Sequence, residues 1–435
     1  MHPLRYRAAP PAAQASSPLP RTLLSARAMS TYESELLRLL ESRGHLHQIT
    51  DPAALDARAK KEIITGYVGF DPTASSLHIG NLASIMLLKR LQQAGHRPIV
   101  IMGGGTAKVG DPSGKDETRT MLTEEKLAAN IAGIKGSFEK ILRFDDSETG
   151  ALLINNDDWL SKLGYIELLR AIGPHFTINR MMTFDSVKLR LEREQPLSFL
   201  EFNYMIMQAY DFLVLAREYD CVLQMGGSDQ WGNIVNGIEL TRRTGGPELY
   251  GFTTPLLTTA DGKKMGKTAS GAVWLNEDML PAYDFWQYWR NVDDRDVGRF
   301  LRLFTDIALD EIERLERLEG GEINDAKIVL ANAVTALVRG EEAAAKAEAT
   351  ARETFAGGAG GDLPTLSVGD GMGLPAALTA LGFTTSNKEA KRKIAEGAVR
   401  LDDTVLSDPG AQVTAGEGQQ RRLSLGRKKH AIVTR

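Results

Sequence analysis

The sequence predicts an α/β fold: a doubly wound parallel sheet, followed by a helical domain and a small C-terminal α+β domain. Short apolar runs such as EIITGYVGF, RPIVIMGGG and CVLQMGG each end on glycine or polar residues, and helical patterns follow them. Strands that alternate with helices indicate a parallel sheet. After about residue 280 the chain is rich in Ala, Glu, Leu and Arg, which favour helices, and a Gly-rich stretch then precedes a short basic segment.

The 435 residues exceed what one ordinary core uses, so we expect several domains. The expected divisions are an extension over 1–32, the sheet domain over 33–255, a lysine-containing loop and helical domain over 256–355, a linker over 356–370 and the C-terminal domain over 371–435. Residues 1–32 contain four arginines, five prolines and no acidic residue. Since prolines oppose an amphipathic helix and Met29 is a natural start, residues 1–28 are either a targeting arm or a mis-assigned gene start, disordered in both cases.

Composition limits the possible classes of protein. No apolar run approaches the roughly 18 to 20 residues of a membrane helix, so we expect no membrane partner. The single cysteine, Cys221, excludes an internal disulfide. Residues 371–435 carry 11 Lys and Arg against 6 Asp and Glu, whereas residues 1–370 carry 41 against 50. A basic tail on an acidic body indicates a polyanionic partner; the alternative is a solvated surface of mixed sign.

The elements follow in order along the chain. ESELLRLLESRG predicts a helix that stops at Gly44, and residues 82–94 predict a long apolar helix after the first strand. Ligands of such sheets bind beyond the carboxyl ends of the strands. The segments that follow the predicted strands are 67–71, 103–111, 155–158 and 226–230.

The stretch FDPTASSLHIGNLAS, residues 70–84, places His78 and Asn81 at the start of the long helix. Helix N-termini carry free N–H groups and partial positive charge, so they hold anions. Residues three apart share a face, which lets both side chains bind phosphate oxygens. The alternative is a capped helix with a satisfied histidine, and the isolated pattern favours that alternative.

The loop ADGKKMGKTASG, residues 260–271, carries Lys263, Lys264 and Lys267 beside two glycines. A mobile cationic loop suits a polyphosphate whose charge is redistributed during a reaction, and a solvated loop is the alternative. The loop is not a Walker A motif, because three residues rather than four separate Gly262 from Gly266.

Two further segments carry polar residues in apolar surroundings. Asp229 and Gln230 follow two glycines in GGSDQWGN, where a carboxylate can accept ribose hydroxyls or an ammonium group. Tyr204, Gln208 and Asp211 share one face of the helix EFNYMIMQAYDFL. Buried polar groups need partners, so this row predicts either a pocket for a small polar molecule or a core network.

Six segments, taken together, carry a family resemblance. YVGFDPTASSLHIGN, VGDPSGK, INNDDW, EFNYMIMQAYD, GGSDQWGN and KKMGKT stand in the order and approximate spacing of bacterial-type tyrosyl-tRNA synthetases, which are class I aminoacyl-tRNA synthetases. The resemblance spans roughly residues 33–435. It implies a Rossmann-like catalytic domain and a C-terminal RNA-binding domain. It also implies ATP-dependent activation of L-tyrosine to tyrosyl-adenylate and transfer of tyrosine to the 3′ end of tRNA(Tyr).

The resemblance also implies roles for individual residues. Tyr67 and Asp211 face the substrate phenol, while Asp111, Tyr204 and Gln208 hold its ammonium group. Asn156 and Gln230 complete the tyrosine site. The residues implied for ATP are Gly69, Asp71, Thr73, His78, Asn81, Gly227, Asp229 and Lys267. Those implied for catalysis are His78, Asn81, Lys115, Arg119, Lys264, Lys267 and Thr268. Mg²⁺ is expected with ATP, and the sequence shows no protein cage for it.

Two positions depart from the family pattern. Asn81 stands where the first signature usually ends in histidine, and Met265 replaces the aromatic residue that is often found in the second. Tryptophanyl enzymes also often carry asparagine at the first position, so a tryptophanyl-tRNA synthetase is the alternative within the class. Tyr67, Asp211 and the basic tail argue against it.

A non-catalytic RNA-binding homologue is the alternative outside the class. The presence of His78, Lys264 and Asp229 argues against it. Phosphate contacts to tRNA are expected from Lys388, Lys391, Arg392, Lys393 and Arg400. The family further implies a homodimer, and a cytoplasmic location is expected.

Overall fold

A computed structural model describes residues 30–112, 122–262, 265–268, 271–355, 363–426 and 429–435. The expectations for residues 1–28, Lys115, Arg119 and Lys264 lie outside these residues. The chain divides into two units, Met1–Thr31 and Tyr32–Arg435, and every element named below belongs to the second.

A six-stranded sheet with the spatial order β1-β6-β5-β2-β3-β4 forms the centre of the molecule. Its strands are β1 (Gln48–Ile49), β2 (Thr65–Phe70), β3 (Arg97–Met102), β4 (Leu152–Asn155), β5 (Cys221–Gly227) and β6 (Tyr250–Thr254). Strands β2 to β6 pair in parallel, as predicted. Strand β1 pairs antiparallel with β6, so the sheet is mixed rather than wholly parallel. This edge strand is only two residues long, too short for a periodic pattern to indicate it.

Ten helices accompany this sheet in the described residues. They are α1 (Glu35–Ser42), α2 (Pro52–Lys61), α3 (Ile79–Gln93), α4 (Glu124–Glu139), α5 (Asp157–Leu160), α6 (Tyr165–Glu167), α7 (Ile178–Met181), α8 (Asp185–Glu192), α9 (Phe199–Glu218) and α10 (Trp231–Arg243). Helix α3 packs on β2, β3 and β5, while α9 and α10 pack on β5. Strands β3 and β4 lie to one side of β2, and β5 and β6 lie to the other. This reversal of strand order opens a crevice at the carboxyl ends of β2 and β5.

A short hairpin and five helices follow. They are β7 (Lys267–Thr268), β8 (Gly271–Ala272), α11 (Ala282–Arg290), α12 (Val297–Phe304), α13 (Leu309–Glu316), α14 (Ile323–Arg339) and α15 (Glu341–Phe355). The Trp289 ring packs edge-on against Phe300, with 5.8 Å between ring centroids. The buried side chains of these helices and of the sheet form one continuous hydrophobic cluster, so the two regions share a core.

The C-terminal part is an α+β arrangement with its own hydrophobic cluster. Its elements are β9 (Thr365–Ser367), β10 (Met372–Gly373), α16 (Leu374–Ala380), α17 (Asn387–Ala395), β11 (Val399–Leu401), β12 (Thr404–Leu406), β13 (Gln412–Val413), β14 (Arg421–Leu425) and β15 (Lys429–Thr434). Strand β9 lies parallel to β15 and falls inside the predicted linker 356–370. The linker prediction is therefore wrong for Thr365–Ser367, because Leu366 packs against the C-terminal core. No helix in the described part of the chain is long and apolar enough to span a membrane.

Candidate active site

One cavity of about 390 Å³ lies at the carboxyl ends of β2 and β5. This volume falls within the range typical of small-molecule sites. The predicted tyrosine and ATP residues that line it are Tyr67, Gly69, Asp71, Thr73, His78, Asn81, Asp111, Asn156, Tyr204, Gln208, Asp211, Gly227, Asp229 and Gln230. Residues far apart in the chain are therefore brought together at the predicted edge of the sheet.

At the inner end of the cavity Asp211 is buried in helix α9. Its Oδ2 accepts a hydrogen bond from Asn156 Nδ2 at 2.9 Å, and its Oδ1 accepts one from Trp159 Nε1 at 2.7 Å. The Tyr67 hydroxyl is buried nearby and has no hydrogen-bond partner within the described residues. A buried hydroxyl without a partner is costly, so this end of the cavity is suited to a ligand that carries a hydroxyl group.

Burial raises the pKa of Asp211 to about 7, while the hydrogen bonds from Asn156 and Trp159 oppose the shift. Burial also raises the pKa of the Tyr67 phenol well above its usual value, and the charge of Asp211 contributes. The two side chains are therefore close enough to interact electrostatically. Together they offer a carboxylate acceptor and a phenolic donor within one apolar pocket.

The middle of the cavity holds a chain of amide groups that ends on a carboxylate. Gln230 Nε2 donates to Asp111 Oδ2 at 2.9 Å, and Gln208 Nε2 donates to Gln230 Oε1 at 3.2 Å. Asn233 Nδ2 donates to the side-chain oxygens of both Gln208 and Gln230, at 2.9 and 3.1 Å. This arrangement fixes the direction of each amide and leaves a carboxylate positioned to hold a cationic group.

A second carboxylate, Asp71, lies where β2 ends. It accepts hydrogen bonds from Tyr204 Oη at 3.1 Å and from Thr106 Oγ1 at 2.8 Å. Gly103 makes this possible, because a Cβ at that position would lie 2.2 Å from Asp71 Oδ1. The structure thus joins Tyr204, predicted for the tyrosine ammonium group, to a residue predicted for ATP.

The N-terminus of α3 forms the outer wall of the cavity. His78 Nδ1 accepts a hydrogen bond from the Gly80 N–H at 3.0 Å, and Asn81 Oδ1 accepts one from the His78 N–H at 3.1 Å. These two bonds form a capping box, and they explain why the helix begins at Ile79 rather than near residue 82 as predicted. Because Nδ1 accepts, the neutral His78 ring carries its proton on Nε2. Asn81 likewise uses its oxygen for the cap and retains its amide N–H groups as donors.

Residues 265 and 266 of the lysine-containing loop pack directly on this wall. Gly266 has φ of +117°, and a Cβ placed there would lie 3.5 Å from both the Gly80 nitrogen and the His78 ring. Met265 is buried in the shared core and lines the cavity. Lys267 and Thr268 form β7, whose backbone pairs with β8. The described middle of the predicted loop, residues 265–268, therefore begins beside the predicted helix start.

The remaining described residues predicted for ATP, apart from Lys267, lie at or just after the carboxyl ends of β2 and β5. Gly69 is exposed, and a Cβ there would contact nothing within 4 Å, so its backbone is open to the cavity. Gly227 packs against Asp229, whose Oδ1 would lie 2.7 Å from a Cβ at that glycine. Thr73 is exposed in the turn that follows β2. A flat ligand can approach the backbone closely at this edge.

Four polar residues of the site were not predicted from the sequence. Trp159 orients Asp211, Asn233 orients two glutamines and Thr106 orients Asp71. Gln224 lies beside Tyr67 on the neighbouring strand and lines the cavity. Trp159 and Asn233 stand within INNDDW and GGSDQWGN, so the motifs pointed to them. The acceptors of their hydrogen bonds, however, can be identified only from the folded structure.

Asn156, by contrast, has its amide fully engaged by the protein. Its Oδ1 accepts from the Gly105 N–H at 2.8 Å, and its Nδ2 donates to Thr106 as well as to Asp211. The structure therefore places it behind Asp211, where it orients the carboxylate.

The predicted RNA contacts lie on helix α17 and strand β11, and none of them lines this cavity. Lys388, Lys391, Arg392 and Arg400 are exposed, whereas Lys393 is half-buried and pairs with Glu396 at 2.9 Å. They lie on two elements that share one hydrophobic cluster.

Comparison with known proteins identifies the class. Residues 59–356 match the family model of the tRNA synthetases class I (W and Y). The chain is 64% identical over 407 residues to a Tyrosine--tRNA ligase of Novosphingobium aromaticivorans, covering 93% of this chain and 99% of that protein. It is 57% identical over 409 residues to the protein of the same name from Zymomonas mobilis, with the same coverage.

A solved structure agrees with this result. The C-terminally truncated mitochondrial tyrosyl-tRNA synthetase of Aspergillus nidulans matches with a TM-score of 0.67 and 30% identity, covering 74% of this chain and 95% of that one. The chain belongs to the class I tRNA synthetases of the tryptophan and tyrosine group. Within that group the two bacterial relatives and this solved structure are all named for tyrosine.

Proposed function

We propose that this chain is a tyrosine–tRNA ligase, which activates L-tyrosine with ATP and transfers it to tRNA(Tyr). The observation that carries the substrate assignment is the buried pair Tyr67 and Asp211 at the inner end of the cavity. A phenol bound there donates its O–H to Asp211 and accepts from Tyr67. Phenylalanine would leave both groups buried without that partner, which costs about 1 to 3 kcal/mol for the neutral Tyr67 hydroxyl and more for the Asp211 carboxylate.

The ammonium group of tyrosine fits the acidic middle of the cavity. Asp111 is held by Gln230, and Asp71 is held by Tyr204 and Thr106. Two oriented carboxylates suit a cation, and the oriented amides limit the positions that the amino acid can take. The substrate carboxylate then points out toward the α3 N-terminus.

Activation requires no strong base, since the tyrosine carboxylate is already an anion. Its oxygen forms a bond to the α-phosphorus of ATP while the bond from that phosphorus to the pyrophosphate oxygen breaks. We assign the phosphate contacts to the His78 Nε2–H, the Asn81 amide and the lysine-containing loop, because Gly266 of that loop lies beside His78 at the start of α3. The protein contributes alignment and stabilisation of charge in the transition state. In the second step a terminal ribose hydroxyl of tRNA attacks the carbonyl carbon, and AMP leaves.

We further propose that Mg²⁺ enters with the ATP phosphates. No group of three or more His, Cys, Asp or Glu side chains in the described part of the chain could hold a metal ion. The metal would supply charge neutralisation of the phosphates when bound.

A homodimer and a tRNA-binding C-terminal domain complete the proposal, with the enzyme located in the cytoplasm. Large apolar side chains are exposed in residues 165–200, namely Tyr165, Ile166, Leu169, Ile178, Met182, Leu189, Leu191, Phe199 and Leu200. Exposed apolar side chains concentrated in one stretch of the chain favour a protein interface there. Exposed Lys388, Lys391, Arg392 and Arg400 suit the phosphates of tRNA.

The deciding test is exchange of pyrophosphate into ATP by the purified protein with each amino acid. Exchange with tyrosine and none with tryptophan is the expected result. Exchange with tryptophan alone would change the assigned substrate from tyrosine to tryptophan. No exchange with either amino acid would favour a non-catalytic RNA-binding protein. Sedimentation of the same preparation tests the dimer.

A further inference from the structure

The segment that follows the lysine-containing loop is tied to the start of helix α3. The Ile79 N–H donates to the Val273 carbonyl at 3.0 Å, and the Leu275 N–H donates to the Leu77 carbonyl at 2.7 Å. The Val273 N–H donates in turn to Gly266 at 3.0 Å. Residues 273–280, the anchor segment, therefore connect the loop to the wall that holds His78. A displacement of this segment would move the loop relative to His78.

A buried arginine of the helical domain holds the anchor segment. Arg339 lies at the end of α14 and is 8% exposed. Its Nη2 donates to three carbonyls of the segment: those of Trp274 at 3.2 Å, Asn276 at 3.2 Å and Leu280 at 2.8 Å. Its guanidinium carbon also lies 5.1 Å from the centroid of the Phe285 ring.

Burial lowers the pKa of Arg339 to about 10, so the group remains charged at neutral pH. A charge taken out of water is costly unless dipoles replace the solvent. Here three carbonyl dipoles of one short segment do so at Nη2, whereas Nε and Nη1 are buried without a hydrogen-bond partner among the described residues. Loss of the charge would free all three carbonyls at once, and the segment would lose its fixed position.

The side chain of Asn276 fixes the same segment from the other direction. Its Nδ2 donates to the carbonyls of Ser75 at 3.1 Å and Gly133 at 2.9 Å, and its Oδ1 accepts from Ser137 Oγ at 3.0 Å. Ser75 belongs to the turn before His78, while Gly133 and Ser137 lie on helix α4. The anchor segment is thus bound on one side by α14 and on the other by two elements of the sheet domain.

We propose that Arg339 is a positioning residue for the formation of tyrosyl-adenylate, acting through the anchor segment on residues 265–268 of the lysine-containing loop. The inference rests on the proposed function and adds a residue outside the cavity to it. The tyrosine side of the cavity is built on β2, β5 and α9, and Arg339 donates no described hydrogen bond to these elements. Its loss should therefore impair use of ATP and leave tyrosine binding unchanged.

The test compares Arg339→Met with Arg43→Met in tyrosine-dependent pyrophosphate exchange, with ATP and tyrosine varied separately. Arg43 is a matched control: it is 7% exposed, its Nη1 donates to the Thr305 carbonyl at 3.1 Å, and burial lowers its pKa to about 10. We expect Arg339→Met to lower kcat/KM for ATP by about twentyfold or more, with the KM for tyrosine within about twofold of wild type. Arg43→Met should leave kcat/KM for ATP and the KM for tyrosine within about threefold of wild type, although its Tm falls about as much as that of Arg339→Met.

Arg339→Lys serves as the rescue variant, because an ammonium group also carries enough donors for three carbonyls. It should recover at least half of the lost activity on a logarithmic scale. If Arg339→Met does not fold, Asn276→Ala tests the same segment. We expect this variant to lower kcat/KM for ATP about fivefold and to leave the KM for tyrosine unchanged. Equal effects of Arg339→Met and Arg43→Met, or a rise in the KM for tyrosine that matches the rise for ATP, would overturn the inference. Absence of exchange in the wild type would instead contradict the proposed function.

Discussion

Asp211 illustrates how one residue gains its properties from its surroundings. Burial raises its pKa from 3.8 to about 7, against the opposing hydrogen bonds of Asn156 and Trp159. Because the folded pKa is higher than the unfolded one, the contribution of this group to stability is present below about pH 4 and is lost as the pH rises through about 7. The unliganded site therefore keeps an ionised carboxylate at a cost in stability, and a phenol donor offsets part of that cost.

This predicts a pH dependence of tyrosine binding. Below about pH 7 the protonated Asp211 loses its charge as an acceptor, so the KM for tyrosine should rise as the pH falls. Trp159→Phe removes a donor that stabilises the ionised form, and its midpoint should move to higher pH. Pyrophosphate exchange at saturating ATP, measured from about pH 5.5 to about 8.5, gives both curves. An identical midpoint in the two proteins would show that Asp211 does not set the profile.

Asn81 is a second residue whose role the structure refines. Its oxygen caps α3 through the His78 N–H, and its amide N–H groups remain donors. In Asn81→His one ring nitrogen can accept that bond while the other donates to phosphate, so we expect activation within about tenfold of wild type, or about 1.4 kcal/mol. Asn81→Ala loses the cap and the donor together, so its kcat/KM for ATP should fall further than that of Asn81→His. Loss of a hundredfold or more in Asn81→His, measured as kcat/KM for ATP, would show that the site is tuned to the amide.

At the scale of elements, helix α9 carries much of the proposed tyrosine site, and its start is strongly specified. Ser198 Oγ accepts from the Glu201 N–H at 3.2 Å, while Glu201 accepts from the Ser198 N–H at 3.0 Å. Glu201 is also paired in the interior with Arg190 at 3.3 Å. We expect Ser198→Ala to cost about 1 kcal/mol, in line with other lost N-caps. Thermal unfolding measures this cost, with Thr123→Ala at the start of α4 as a control cap that does not carry the tyrosine row. An unchanged Tm in Ser198→Ala would contradict this expected cost.

The elements that could be predicted from the sequence are those with strong periodicity or clear ends. Strands β2, β3 and β5 and helix α9 meet both conditions, and Tyr67, Asp211 and Gln230, which lie on or just after these elements, line one cavity. The row of Tyr204, Gln208 and Asp211 was predictable because one helix face sets their spacing. The bonds from Trp159 to Asp211 and from Asn233 to Gln208 join segments 52 and 25 residues apart, which no local pattern specifies.

At the scale of the whole molecule, charge and composition predicted a separate basic tail but not its contacts. The described C-terminal residues pack on the helical domain through Leu363 and Ile432, which bury Tyr283. Arg422 Nη1 also donates to the Thr354 carbonyl at 3.1 Å. Strand β9 lies in the segment that was predicted to be a linker. The sequence did not indicate it, because a three-residue strand is recognisable only through its pairing with β15. Three-dimensional pairing thus decides where the C-terminal part begins.

This boundary determines how the two halves of the reaction can be separated. Removal of residues 363–435, rather than 371–435, avoids leaving β9 without its partner strand. We expect the truncated protein to keep the pyrophosphate exchange rate within about threefold, because the removed residues do not line the cavity, and to charge tRNA at least about tenfold less efficiently. Full-length protein with Lys388→Ala, Lys391→Ala and Arg392→Ala is the matched control, since these exposed positions leave the Tyr283 contact intact. It should lose charging and retain exchange and Tm. Equal loss of exchange and charging in both proteins would show that the basic domain supports the catalytic site directly, instead of serving as a separate contact for tRNA.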